Sequence, residues 1–103
     1  MQNIRTEYRK GVLFIRLMGG TTDDYLNTVN EIVDNFGIRY IVLNITNLNY
    51  VSLENISHIV NYNERILKKK KQLLICDSNI KRNRMFRNVI PNIEREIDAF
   101  SLI

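Results

Sequence analysis

Residues 38–51 read Ile38-Arg39-Tyr40-Ile41-Val42-Leu43-Asn44-Ile45-Thr46-Asn47-Leu48-Asn49-Tyr50-Val51, and the fold is decided here. The run Tyr40-Ile41-Val42-Leu43 is branched and aromatic, with no polar residue to mark a solvent face. It predicts a strand over residues 39–45 that is buried on both sides, the habit of a central strand in a parallel sheet. Thr46-Asn47-Leu48-Asn49 then reads as a loop leading to Tyr50-Val51.

Upstream, residues 3–9 alternate with period two, placing Ile4, Thr6 and Tyr8 on one side. Arg9-Lys10-Gly11 turns the chain, and residues 12–18 form a second strand, so the pair predicts an antiparallel hairpin. Gly19-Gly20-Thr21-Thr22 stops that strand. From Asp23 the period becomes helical, with Tyr25 or Leu26, Val29, Ile32, Val33 and Phe36 on one face and Glu31 and Asp34 outside. Thr22 suits the N-cap, Asp23 and Asp24 suit the positive end of the helix dipole, and Gly37 suits the C′ position.

Downstream, Ser52 opens a long helix whose inner stripe runs through Leu53, Ile56, Ile59, Val60, Asn63, Ile66 and Leu67, with Asn63 its polar break. Lys68-Lys69-Lys70-Lys71 falls at the negative end of the dipole. Residues 72–76 form a fourth strand, and a third helix over residues 78–89 turns Ile80, Phe86 and either Met85 or Arg84 inward before Pro91 ends it. In the tail, a short strand over 92–95 and a small helix over 96–103 are favoured over one strand across 93–103. The order β-β-α-β-α-β-α-β-α demands parallel neighbours joined by right-handed crossovers. The expected fold is a single α/β domain over residues 1–103, a mixed sheet with its helices packed mainly on one face.

The chain has 103 residues, 45% of them hydrophobic and 25% charged, with one Cys. That is apolar matter for one core, and it excludes a disordered chain and a disulfide scaffold. No apolar run reaches the roughly 20 residues of a membrane span. Residues 1–11 have no apolar stretch ahead of their charges, so no secretory signal is expected and the reading is cytoplasmic. The net charge of +4 lies wholly in residues 52–103, in the lysine tetrad and in Lys81, Arg82, Arg84 and Arg87. A basic nucleic-acid module would look so, but aromatic residues do not interleave with the charges as single-strand stacking requires.

Catalytic chemistry finds little support. His58 is the sole histidine, and no metal-ligand spacing accompanies it. Cys76 ends an apolar strand and reads as core. Gly19-Gly20-Thr21-Thr22-Asp23 lacks the Lys-Ser/Thr ending of a phosphate loop, and its acids would repel phosphate. No enzyme activity, metal or cofactor is expected.

Several segments together resemble the STAS domain, the fold of the bacterial anti-sigma factor antagonists. Residues 12–19 resemble that family's second strand and its closing glycine. Residues 38–45 resemble its central strand, followed at the family's distance by Leu48-Asn49-Tyr50-Val51 and a helix. Leu73-Leu74-Ile75-Cys76 and Ile80-Lys81-Arg82 continue the likeness over nearly the whole chain. The resemblance implies partner switching: the domain occupies an anti-sigma factor, itself a kinase, or another regulator that binds STAS domains, and so frees a sigma factor. It implies docking through Tyr50, Ser52, Leu53, Glu54, Asn55 and Ile56 at the start of the second helix, with the loop Gly19, Gly20, Thr21, Thr22 and Asp23. A homodimer is left open.

Two departures bear on regulation. The family's Asp-Ser-(Ser/Thr)-Gly motif, phosphorylated on its first serine, reads Ser52-Leu53-Glu54-Asn55 here. Leucine cannot accept phosphate, so either the switch is lost or Ser52 accepts it one residue early, against its ordinary reading as an N-cap. The family's Gly-Glu-Leu-Asp reads Gly19-Gly20-Thr21-Thr22, so that acid is missing too. The alternatives are a divergent scaffold, a small-ligand sensor, or a basic nucleic-acid module using Lys68–Lys71 and Arg82–Arg87.

Overall fold

In the computed structural model, which describes residues 3–19, 24–86 and 88–103, the first two strands follow from a two-residue turn. Lys10 and Gly11 both take positive φ, 52° and 82°. That mirror-image turn matches the right-handed twist of the strands it joins, and Gly11 adopts its share at no steric cost. It pairs β1 (Ile4–Arg9) antiparallel with β2 (Val12–Leu17), Arg9 opposite Val12.

The rest of the sheet is parallel. β2 pairs with β3 (Tyr40–Asn44), β3 with β4 (Gln72–Cys76), and β4 with the two-residue β5 (Asn92–Ile93), giving the order β1-β2-β3-β4-β5. The connections carry α1 (Tyr25–Phe36), α2 (Leu53–Lys68) and α3 (Ile80–Asn83). Gly37 closes α1 at φ 61°, the left-handed cap conformation that glycine favours. The mixed α/β sheet expected from the sequence is the architecture observed.

Strand alternation divides the core in two. Leu13, Ile15, Leu17, Ile41, Leu43, Leu73 and Ile75 pack with Val29 and Val33 of α1, with Ile59, Tyr62 and Ile66 of α2, and with Phe86 and Ile90. Val12, Phe14, Val42, Leu74, Cys76 and Ile93 form a smaller cluster with Ala99, and Phe100 packs against it. The last two belong to a C-terminal 3-10 helix, Glu96–Ser101, and the Phe14 and Phe100 rings meet edge-on at 5.8 Å. β3 is therefore buried on both faces, as its apolar run required.

Several local expectations need correction. The third helix stops at Asn83 and continues only as a 3-10 turn, Arg84–Phe86, because Asn83 turns inward and donates to the Asp77 and Ile93 carbonyls. Ile80 and Met85 are exposed, not inward. Phe36, Leu53 and Leu67 extend the helical stripes in sequence but face solvent, whereas Tyr62, absent from the expected stripe, is buried. Asp24 occupies the N-cap of α1; the expected cap Thr22 and first-turn Asp23 lie outside the described residues. The fifth strand is shorter than expected, and the tail ends in a 3-10 helix instead of the alternative strand.

Candidate functional site

The segment between β3 and α2 has no ladder of its own, and its backbone carbonyls are held by a side chain from α3. Arg82 donates from Nη1 to the Leu48 carbonyl at 2.6 Å, and from Nη2 to the carbonyls of Ile45 and Thr46 at 2.9 and 3.3 Å. The same guanidinium binds both carboxylate oxygens of Asp77, at 2.6 and 3.0 Å. Asp77 is fully buried just beyond β4, and its carboxylate also accepts from the Asn79 N–H. Thr46 Oγ1 accepts from the Ser78 N–H, a second tie between the two segments. A buried ion pair is tolerable only when its remaining donors and acceptors are satisfied, and this one spends them on the loop.

That frame fixes the entrance of α2. Val51 is buried, and Ser52 is the N-cap, extended at φ −73° and ψ 158°, with Oγ accepting from the Asn55 N–H at 3.0 Å. Asn55 turns its side chain inward, where Oδ1 accepts from the Tyr25 hydroxyl at 2.9 Å and couples the first turns of α1 and α2. Ile56 is half-buried against the main core. Tyr50 and Leu53 point out, 79% and 78% exposed, with Glu54 also exposed in the first turn.

The residues expected to dock thus divide. Tyr50, Leu53 and Glu54 are exposed, while Ser52, Asn55 and Ile56 are turned inward or half-buried and support the helix start. Gly19 is exposed, and its carbonyl accepts from Asn3 Nδ2 at 2.7 Å. Gly20, Thr21, Thr22 and Asp23 lie outside the described residues. The clamp is not among the features expected from the sequence, where Arg82 reads with Lys81, Arg84 and Arg87 as basic surface. The available signal was Asp77 directly after an apolar strand, with a guanidinium one helical turn beyond it.

Other candidate groups are placed as follows. His58 is on the surface of α2, with Nε2 4.0 Å from Glu54. Cys76 is buried, and burial pushes its thiol up to about 12, which keeps it protonated and unreactive at neutral pH. Lys69 pairs with Asp34 at 3.5 Å and Lys71 donates to the Ile38 carbonyl, so part of the lysine run secures the end of α2. Between α1 and α2 a groove of about 450 Å3 is lined by Asp24, Leu26, His58, Asn61, Tyr62 and Arg65. Burial pushes the Tyr62 phenol up to about 12. No helix among the described residues is long and apolar enough to cross a membrane. No protein-family model and no curated protein sequence matches this chain.

Proposed function

We propose that the chain is a protein-binding regulatory domain of the anti-sigma factor antagonist kind. It acts in the cytoplasm by occupying an anti-sigma factor through the entrance of α2, without catalysis and without a phosphorylation switch. The observation that carries this reading is the pair Tyr50 and Leu53, almost wholly exposed just beyond a loop whose Ile45, Thr46 and Leu48 carbonyls are held by Arg82. Large apolar side chains held in a preset position cost little further ordering when a partner covers them, which is how a small patch gains affinity. The order of strands and helices supports the reading, since it matches the resemblance on which the docking surface was expected.

Loss of the switch rests on two features. Leu53 stands where the family's acceptor serine stands and has no group to phosphorylate. Ser52, one residue earlier, has its hydroxyl engaged as the cap of α2. A phosphate there would need that cap to be remade, although its charge would suit the helix end.

The test is calorimetric titration of the protein into each ATP-dependent anti-sigma kinase of the same genome, then intact-mass measurement after incubation with ATP. A complex with one of them and an unchanged mass is expected. Failure to bind any of them overturns the proposal. Addition of one phosphate that Ser52→Ala abolishes would leave the partner and overturn the lost switch.

A further inference from the structure

The sheet has two edges of different character. β5 has two residues and offers almost nothing to pair with. β1 has six, with no Pro, Lys or bulge inside it, and its register with β2 is unbroken. Such an edge is an open template unless something covers it.

The hydrogen-bond phase of that edge follows from the turn. Arg9 and Val12 flank a two-residue loop, so they form a hydrogen-bonded pair, and such pairs recur at every second residue. The Met18 N–H donates to the Asn3 carbonyl at 2.9 Å, in step with that phase. Glu7 and Arg5 therefore direct their backbone groups towards β2, and Ile4, Thr6 and Tyr8 direct theirs away from it. We propose that β1 pairs antiparallel with β1 of a second copy of this chain, about a two-fold axis at Thr6, making one continuous sheet across a dimer.

Charge favours that register over the neighbouring ones along the strand. With the axis at Thr6, Arg5 lies opposite the partner's Glu7 and Glu7 opposite the partner's Arg5. An axis at Arg5 would set arginine against arginine, and one at Glu7 would set the two glutamates together and Arg5 against the partner's Arg9. An axis at Tyr8 runs the pairing into the turn at Lys10 and Gly11. Shifts by half a step would pair outward groups with inward ones. Arg5 is exposed and forms no ion pair among the described residues, and the pairing supplies one.

The apolar side agrees. Ile4, Thr6 and Tyr8 share the face towards α1, where a groove of about 370 Å3 is lined by Thr6, Tyr8, Leu13, Ile32, Phe36 and Ile38. Tyr8 and Phe36 are 61% and 75% exposed along it. The proposed axis brings the partner's Ile4 opposite Tyr8, and Ile4 opposite the partner's Tyr8, so the seam adds aliphatic and aromatic area to both grooves. Cross-strand aromatic–branched pairs and opposite-charge pairs are the stabilising kinds. The patch is self-complementary, as a two-fold interface requires.

Sedimentation equilibrium tests this with the wild type, Arg5→Glu, Glu7→Lys and Thr6→Pro, each shown folded by circular dichroism. The wild type is expected at twice its 12.2 kDa. Arg5→Glu and Glu7→Lys set like charges across the seam and should each run as monomers. Mixed in equal amounts they place opposite charges in both positions and should recover the doubled mass. Thr6→Pro removes an outward N–H, leaves the ladder to β2 intact, and should also be monomeric. A monomeric wild type, a dimer that survives Arg5→Glu or Thr6→Pro, or a mixture that stays monomeric each overturns the proposal.

Discussion

Asp77 and Arg82 lie beneath the segment that leads into α2, whereas on the other sheet face Arg16 of β2 pairs with Glu96, the first residue of the C-terminal 3-10 helix. Both pairs fasten irregular backbone to the ends of strands. They differ in depth: Asp77 is wholly buried and the Arg82 side chain 13% exposed, against 17% for Glu96 and 30% for Arg16. Arg16 binds both Glu96 oxygens at 2.7 and 2.8 Å and reaches Glu7 at 2.8 Å, and Asn44 adds a further bond to Glu96. The outer pair is a network partly open to solvent, and the inner one is a sealed pair whose spare donors grip backbone. Depth decides how much the loss of one member costs. An unpaired charge at the inner site has nowhere to go, while one at the outer site can be hydrated.

The largest effect should come from the inner site. Arg82→Met leaves the Asp77 carboxylate buried without its cation, and a loss of about 3–5 kcal/mol is expected in urea unfolding. A loss below about 1 kcal/mol would show that the clamp is ornamental. Glu96→Gln keeps the shape of the outer network but removes a charge, and should cost about 1 kcal/mol at neutral pH.

Acid sharpens the contrast. Hydrogen bonding from Arg16, followed by that from Asn44, holds the Glu96 carboxyl below its ordinary value against the opposing effect of burial. The folded state therefore prefers the ionised form. This stabilisation is complete above the unfolded-state pKa of about 4.3 and is lost as pH falls through the lower folded value. The stability gap between wild type and Glu96→Gln should accordingly close under acid and be constant above about pH 6. A gap that persists at low pH would mean that the charge of Glu96 contributes nothing.

Smaller again is Ser52→Ala, which removes the cap acceptor for the Asn55 N–H. About 1 kcal/mol is expected in thermal or urea unfolding, since the helix keeps its packed face. A negligible change would place the start of α2 under the control of the Asn55–Tyr25 bond.

Regular structure was legible in the sequence where the pattern is local. Lys10-Gly11 specified the hairpin, the apolar runs gave β3 and β4, and Ser52 and Gly37 marked helix ends through their own backbone chemistry. Periodicity found the buried stripes of α1 and α2 but not how far each is covered, so Phe36, Leu53 and Leu67 were placed inward. The third helix was overestimated because the bonds that end it, from Asn83 to Asp77 and Ile93, join residues set in place only by the sheet. The same holds for the site. Tyr50, Leu53 and Glu54 were nominated through the family resemblance, since periodicity alone turned Leu53 inward. For Arg82 the one local sign was Asp77, five residues before it, and its hold on the loop was hidden because those carbonyls lie 34 to 37 residues away in sequence.

Leu53→Asp is the substitution with the least expected effect on the fold and the greatest on the proposed binding. Exposure of the side chain limits the stability change to about 0.5 kcal/mol. Titration of this variant and the wild type into the anti-sigma kinase that the wild type binds is therefore the decisive measurement. Undiminished unfolding stability with binding reduced at least tenfold is the predicted result. A variant as stable as the wild type that binds just as tightly would contradict docking at the entrance of α2.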